Sequence, residues 1–192
     1  MWDDSKQKQL EDRLIRLTAS AGLPLTWVEN PEFLAFLDKF IPGAKAPSRK
    51  VLTQRLLPQT LSVLRAQAKK SADGHAATVQ CDGWTAENFH HFIAFMITAD
   101  RKVHTVRVHD ASNERKTAES LLRLMEDVIQ ELETKWHVEV VAFTTDASGE
   151  SRKARAMLVA RYPKLVTPDC YGHQKKRASS SPGYKAKHMF LL

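Results

Sequence analysis

The chain has 192 residues, of which 43% are hydrophobic, and this is sufficient for a buried core in one domain with appendages. It contains no run of 18 or more apolar residues and no basic, apolar start typical of a signal peptide, which argues against membrane-spanning and secreted classes. Its net charge is +7. Its two cysteines, without a secretory signal, favour a reducing compartment, nuclear or cytoplasmic.

Three helices are predicted in an N-terminal segment, residues 1–74. The first covers residues 5–20, where leucines recur at helical spacing. A second begins after Asn30 as N-cap, with proline at its first position. The third follows Ser48, and we expect Pro58 to kink or split it because proline removes a backbone donor. We expect its apolar stripe to belong to the core: Val51, Leu52, Leu56, Leu57, Leu61 and Leu64.

The pattern changes after Gly74, and residues 75–173 read as a mixed α/β core. Short apolar runs predict three strands joined by tight turns at Asp82-Gly83 and Asp100-Arg101. The expected elements are strands 76–82, 89–99 and 102–109, helix 116–135, strand 138–145, helix 150–161 and strand 164–167. Four glutamates of the long helix are expected to face solvent: Glu119, Glu126, Glu131 and Glu133. This order predicts a mixed sheet with helices on its faces, an α/β layered architecture.

Two aspartates each follow an expected strand, Asp82 the first and Asp146 the fourth. If these strands pack in parallel, both carboxylates lie at the same edge of the sheet. Carboxylates on a rigid scaffold, open to solvent, suit metal-assisted chemistry on phosphates, given a third ligand. The alternative is that both are ordinary turn residues, since Asp-Gly and Asp-Ala-Ser-Gly are common turn sequences.

The charge is concentrated in a C-terminal segment, residues 174–192, which has five basic residues and no acid. Residues 1–173 then hold 24 Lys and Arg against 22 Asp and Glu, a balance of only +2. We expect this polar, aperiodic tail to be disordered. Its cluster Lys175, Lys176 and Arg177 is typical of a nuclear localisation patch, a weak phosphate contact or a solvating tail.

Several short motifs resemble the hAT superfamily of DNA transposases (hobo/Activator type), across roughly residues 20–173. Their order and spacing carry the resemblance more than any one of them. The motifs are Asn30-Pro31-Glu32-Phe33, Pro47-Ser48-Arg49, Cys81-Asp82-Gly83-Trp84-Thr85, Thr144-Thr145-Asp146-Ala147-Ser148 and Cys170-Tyr171-Gly172-His173.

The resemblance implies a ribonuclease-H-like core in which Asp82 and Asp146 bind the divalent metals, Mg²⁺ or Mn²⁺, that act on DNA. It implies that Cys170 and His173 help to position DNA, the alternative being a buried thiol and a turn histidine. Two ligands do not make a structural zinc site, so no zinc is expected. Trp84 either stacks on a base or fills the core.

The chain also departs from the family pattern. The family's third catalytic acid is a distant glutamate, and no acid follows Asp169 here; its Cys-x-x-Cys zinc finger is missing as well. We therefore expect a truncated transposon-derived protein without transposition activity. One alternative is a non-catalytic nuclear module that binds nucleic acid or protein, and another is a small nuclease with Glu150 or Asp169 as third ligand. Expected partners are DNA, a protein or the full-length transposase, and no membrane; the oligomeric state stays open.

Overall fold

The computed structural model describes residues 1–170, which form two compact units. The helical unit is Met1–Gln67, and the sheet unit begins at Ala68. The helices are α1 (Asp4–Ser20), α2 (Pro31–Phe40), α3 (Arg49–Val51), α4 (Leu57–Ala72), α5 (Ala118–Lys135) and α6 (Gly149–Arg161), with a 3₁₀ turn at Leu25–Glu29. No helix in this described part is long and apolar enough to cross a membrane.

Capping residues start the first helices where the sequence predicts. Asn30 accepts from the backbone N–H groups of Glu32 and Phe33, and Ser48 accepts from that of Val51. Each cap satisfies a donor that the first turn of a helix leaves without an intrahelical partner. The two predicted N-caps are thus confirmed.

The predicted disturbance at Pro58 is also observed. A π-helical segment, Leu52–Leu56, lies between α3 and α4 and ends just before this proline. Proline supplies no N–H to the helical ladder, so the hydrogen-bond pattern changes in the turn that precedes it.

The apolar stripe of this region is only partly core, which corrects the expectation. Leu52 and Leu56 are buried and pack with Ile15 and Val28. In contrast, three leucines of α4 are 40% to 58% exposed: Leu57, Leu61 and Leu64. Helical spacing identifies a shared face of the helix, but burial requires a neighbouring element to cover that face.

The sheet unit contains four strands in the order β3-β2-β1-β4. They are β1 (Ala76–Thr85), β2 (His91–Ala99), β3 (Lys102–Asp110) and β4 (Glu139–Thr144). β1 is antiparallel to β2 and parallel to β4, while β2 and β3 form a hairpin whose turn places Asp100 and Arg101 at positive φ. This mixed sheet after N-terminal helices confirms the predicted α/β fold class.

The predicted turn at Asp82-Gly83 is wrong. Both residues lie inside β1, where Asp82 pairs with Ala94 and Gly83 pairs with Ile93 across the hairpin. Asp-Gly favours turns, but the ladder to β2 continues to Thr85 and overrides that local preference.

Helices α5 and α6 cover one face of the sheet and complete its core. Phe95 and Phe143 meet edge to face there, with ring centroids 6.5 Å apart. Glu131 was expected to face solvent, but it is buried and accepts from Arg107 Nη2 at 2.5 Å. The arginine of β3 thus provides the partner that a buried carboxylate requires.

The expected last strand, 164–167, is reduced to isolated pairings. Val166 bridges Ala142, and Asp169 bridges Thr145, both in the parallel sense. The segment therefore lies along β4 without forming a continuous strand.

Candidate functional site

The register between β1 and β4 brings the two candidate aspartates to the same level of the sheet. Gln80 of β1 pairs with Thr144 of β4 in parallel. Asp82 lies two residues beyond Gln80, and Asp146 lies two residues beyond Thr144. Both aspartates therefore follow the last β1–β4 pair at the same edge of the sheet, Asp82 within β1 and Asp146 after the end of β4.

Asp82 and Trp84 lie on one face of β1, because residues two apart in a strand share a face. Trp84 packs on Phe92 of β2, with ring centroids 5.7 Å apart, and is 38% exposed. The indole therefore contributes to packing on the sheet and still presents part of its surface to solvent. Trp84 therefore packs on the sheet, and its stacking on a base stays a prediction.

Asp146 lies in the short connection from β4 to α6. Its Oδ1 accepts from the backbone N–H of Ser148 at 3.3 Å. Ser148 is in turn the N-cap of α6 and accepts from the backbone N–H of Ser151 at 3.2 Å. This local turn holds the carboxylate near the start of the helix, where the helix dipole favours negative charge.

A buried arginine, Arg155 of α6, holds the end of β4 in place. Its guanidinium donates to the carbonyl oxygens of Asp146, at 2.8 Å, and Thr145, at 3.3 Å. The same group donates to the Thr145 hydroxyl and to the Asp169 carboxylate. Arg155 is only 6% exposed, so its planar donors have exchanged water for these four acceptors. The backbone that carries Asp146 is therefore fixed by a side chain as well as by the sheet.

The two acids proposed as third ligands are in different situations. The Asp169 carboxylate is paired with Arg155 and lies 4.0 Å from Arg152. Glu150 instead lines the same cavity as Asp146. Only Glu150 therefore offers a carboxylate that is not already held by the buried arginine.

Cys81, next to Asp82, lies in the field of both carboxylates. Burial of the thiol, followed by the negative charges of Asp82 and Asp146, raises its pKa to about 12. A nearby negative charge disfavours the thiolate, so the thiol remains protonated at neutral pH. Both aspartates are thus close enough to the same sulfur to affect its ionisation.

A cavity of about 230 Å³ opens beside Asp146, on the helix-covered side of the sheet. Its apolar side is formed by Ile93, Leu121 and Leu124. Its polar lining includes three acids, Glu114, Asp146 and Glu150. Further polar residues around it are His91, Arg115, Lys116, Thr117, Ser120, Ser148 and Ser151.

The donor chemistry of the aspartate pair suits hard cations. Carboxylate oxygens are the ligands that Mg²⁺ and Mn²⁺ prefer. Among residues 1–170, however, no three His, Cys, Asp or Glu side chains are grouped so that they could hold a metal ion together. A metal at this edge would therefore depend on Asp82 and Asp146 and on oxygen ligands other than such a third side chain.

The structure places Cys170 beside the same strand end, since its backbone N–H donates to the carbonyl oxygen of Thr145 at 2.9 Å. Its thiol forms no disulfide. The remaining candidate DNA-binding residues lie outside the described residues: His173, Lys175, Lys176 and Arg177. The expected tail, 174–192, lies there too.

Arg155 is the main feature of the site that the sequence interpretation missed. A signal for it exists, because the inward positions of α6 are Ser151, Ala154, Arg155 and Leu158, at helical spacing. An arginine within an apolar stripe indicates a buried partner, although the stripe alone does not identify that partner.

A known sequence family covers the part of the chain that contains the α/β unit. A family model described as "Domain of unknown function (DUF659)" matches residues 47–179, more than half of the chain, and the chain belongs to that family. No curated protein matches its sequence.

Solved structures give only a distant likeness. One similar structure is the Aquifex aeolicus member of the Ppx/GppA protein family, at 16% identity and a TM-score of 0.30. The alignment covers 54% of this chain and 37% of that protein, so the chain spans little more than a third of its length. A likeness at this level supports no inference about activity.

Proposed function

We propose that this protein is a hAT-type transposase-like domain that binds DNA at the sheet edge carrying Asp82 and Asp146. In this proposal the two carboxylates hold a divalent cation, Mg²⁺ or Mn²⁺, against a DNA phosphate. The pair binds and does not by itself cleave or join strands.

The parallel register of β1 and β4 carries the proposal. The last recorded pair of these strands is Gln80 with Thr144, and each aspartate follows its member of that pair by two residues. Two carboxylates at one edge of a sheet repel each other, and a divalent cation between them relieves that repulsion. Arg155 also supports the proposal, because its hydrogen bonds to the carbonyl oxygens of Thr145 and Asp146 fix the backbone that carries the Asp146 carboxylate.

The family match supports the transposase-like part, because DUF659 domains are typical of hAT-type transposase-like proteins. The motifs around Asp82 and Asp146 both lie within the matched residues. Nuclear location and DNA as partner follow from this proposal, as does a contact between the basic cluster at 175–177 and DNA phosphates.

Cleavage is not part of the proposal, because it requires more than two carboxylates. A bound divalent cation supplies Lewis-acid stabilisation of a phosphate oxygen. Phosphodiester cleavage in such sites commonly uses two metals that stabilise both the attacking and the leaving oxygen, and these need further ligands. Residues 1–170 offer no grouped set of three ligating side chains.

DNA affinity with and without metal tests the proposal. We expect the wild type to bind a short duplex more tightly in Mn²⁺ than in EDTA at matched ionic strength. The gain should disappear in Asp82→Asn and in Asp146→Asn, and persist in Asp127→Asn, an exposed acid on α5. A metal-dependent gain that survives both aspartate substitutions would contradict the proposal.

A second candidate is a small metal-dependent nuclease, and one observation favours it: Glu150 lines the same cavity as Asp146. A nicking assay on supercoiled and hairpin DNA with Mg²⁺ and Mn²⁺ separates the two candidates. Cleavage by the wild type that is lost in Asp82→Asn, Asp146→Asn and Glu150→Gln would establish the nuclease. Absence of cleavage together with metal-dependent binding would support the first proposal.

A further inference from the structure

The cavity beside Asp146 has a basic end that the metal proposal does not use. Arg115 and Lys116 line it, in the connection between β3 and α5. Both are exposed, and neither forms an ion pair with any residue of the part that the structure describes. Two adjacent cations at the rim of a cavity, without an acidic partner, are available to a ligand.

The backbone near these cations also attracts negative charge. The cavity reaches Thr117, the N-cap of α5, a helix of 18 residues. The first N–H groups of a helix have no intrahelical acceptor and carry partial positive charge. The start of α5 together with two cationic side chains therefore favours an anion on this side of the cavity.

The side of the cavity formed by the segment from β4 to α6 is acidic, with Asp146 and Glu150. The third acid of the lining, Glu114 beside Arg115, is paired with His109. A free anion would be attracted by the cations of this cavity and repelled by its acids. A nucleic acid strand avoids that conflict when one phosphate contacts the cations and the next is bound to the acids through a divalent cation. A volume of about 230 Å³ is below the roughly 300–1,000 Å³ of pockets for drug-sized ligands. The space therefore suits one phosphate and its sugar rather than a large molecule.

We propose that Arg115 and Lys116 hold a backbone phosphate of a DNA strand, adjacent to the phosphate at the Asp82–Asp146 pair. This inference rests on the proposed function and adds a second contact along the same strand. The guanidinium donates to phosphate oxygens in a bidentate manner, and the ammonium acts as a point charge. The contact requires no metal, so it can be measured separately.

The test compares Arg115→Gln/Lys116→Gln with Lys135→Gln/Lys164→Gln, which removes the same charge from exposed positions outside the cavity. Binding of a short single-stranded oligonucleotide is measured in EDTA over a range of salt concentrations. Thermal unfolding of each variant verifies that the fold is intact. Because the substituted side chains are exposed, we expect no change in folding.

We expect the Arg115/Lys116 variant to bind several-fold more weakly and its log–log salt slope to decrease by about 0.7, the value for one lost single-strand phosphate contact. The control variant should change neither quantity by a comparable amount. The amide resonance of Ala118 should shift on adding the oligonucleotide, and the shift should be smaller in the variant.

An unchanged salt slope in the Arg115/Lys116 variant would overturn the inference. An equal loss in the control would also overturn it, since the effect would then be one of net charge. Competition by an acidic peptide as effective as the oligonucleotide would exclude phosphate as the preferred ligand. Because every arm contains EDTA, failure of the metal proposal would leave these outcomes unaffected.

Discussion

The helical unit and the sheet unit differ in how completely they bury their large apolar side chains. In the helical unit, large apolar side chains stay in contact with solvent, including Phe36 at 51% exposed, Phe40 at 63% and Leu61 at 58%. In the sheet unit, Phe95 and Phe143 are fully buried. Two helices and a sheet face enclose a core there, whereas the stripes of α2 and α4 are covered only in part.

This difference shows that an amphipathic pattern is not itself a core. Helix α5 presents its apolar face to a sheet and buries Met125, Val128 and Leu132. Helix α4 has leucines at similar spacing, yet most of them remain exposed. All the candidate chemistry, from Asp82 to Arg155, is in the unit with the complete core, where packing can hold side chains in place.

The largest expected effect is a loss of stability when a phenylalanine of the sheet unit is truncated, compared with the same change in the helical unit. Phe143→Ala should lower the free energy of unfolding by about 3–5 kcal/mol, because it leaves a cavity in a closed core. Phe40→Ala should change it by less than about 0.5 kcal/mol, since its ring is largely in solvent. Urea unfolding followed by circular dichroism measures both values.

Equal losses for the two phenylalanine variants would contradict the contrast between the units. That result would mean that the face carrying Phe40 is covered in solution. Sedimentation at several protein concentrations would then distinguish self-association from packing within one chain.

A smaller effect is expected from the arginine that holds the end of β4. Arg155→Met removes the donors of the Asp169 carboxylate and of two backbone carbonyls, and should cost about 2–3 kcal/mol. Arg152→Met, at an exposed position 4.0 Å from the same carboxylate, should cost less than about 0.5 kcal/mol. Arg155→Lys should restore part of the loss.

Stability and metal binding together show whether Arg155 also positions Asp146. Mn²⁺ affinity that decreases in folded Arg155→Met, measured well below its unfolding temperature, would support this role. If Mn²⁺ binds Arg155→Met as it binds the wild type, Arg155 acts on stability alone.

Local signals in the sequence predicted most of the fold. The caps at Asn30 and Ser48, and the proline after Leu57, act over one helical turn, so the sequence around each contains the cause. The alternation of strands and the long helix likewise predicted a mixed sheet. The expectation that Asp82 and Asp146 lie at one edge of the sheet comes from this topology.

The predictions failed where contacts between residues far apart in sequence determine the structure. Asp82-Gly83 favours a turn locally, but its pairing with Ala94 and Ile93 extends β1. Glu131 has the spacing of an exposed position, but Arg107 on β3 provides a buried partner. The acceptors of Arg155 lie 9 to 14 positions away along the chain, on two other segments. No local rule contains these contacts.

The smallest expected effect concerns Cys81, which reports on the aspartate pair in the sheet unit. The thiol pKa is raised from its ordinary value of 9.0 to about 12, first by burial and then by the charges of Asp82 and Asp146. Asp146→Asn removes one of these charges and should lower the pKa, so alkylation of Cys81 should begin at a lower pH. Rates of reaction with iodoacetamide between pH 8 and 11, identified by mass spectrometry, measure this shift.

The raised pKa of Cys81 also makes the free energy of unfolding depend on pH. Above about pH 9 the unfolded chain gains by losing the thiol proton, while the folded chain retains it up to about pH 12. This contribution to stability is therefore present below pH 9 and is lost as the pH rises through that interval. A Cys81 alkylation profile that is identical in the wild type and Asp146→Asn would contradict the closeness of Asp146 to the thiol.

The most direct test of the aspartate pair is Mn²⁺ binding, measured by electron paramagnetic resonance on the full chain without DNA. The account predicts one Mn²⁺ bound per chain through Asp82 and Asp146, competed by Mg²⁺. Asp82→Asn and Asp146→Asn should each abolish it, while Asp127→Asn should leave it unchanged. Mn²⁺ binding that persists in either aspartate variant, or no binding by the wild type, would contradict a shared metal site.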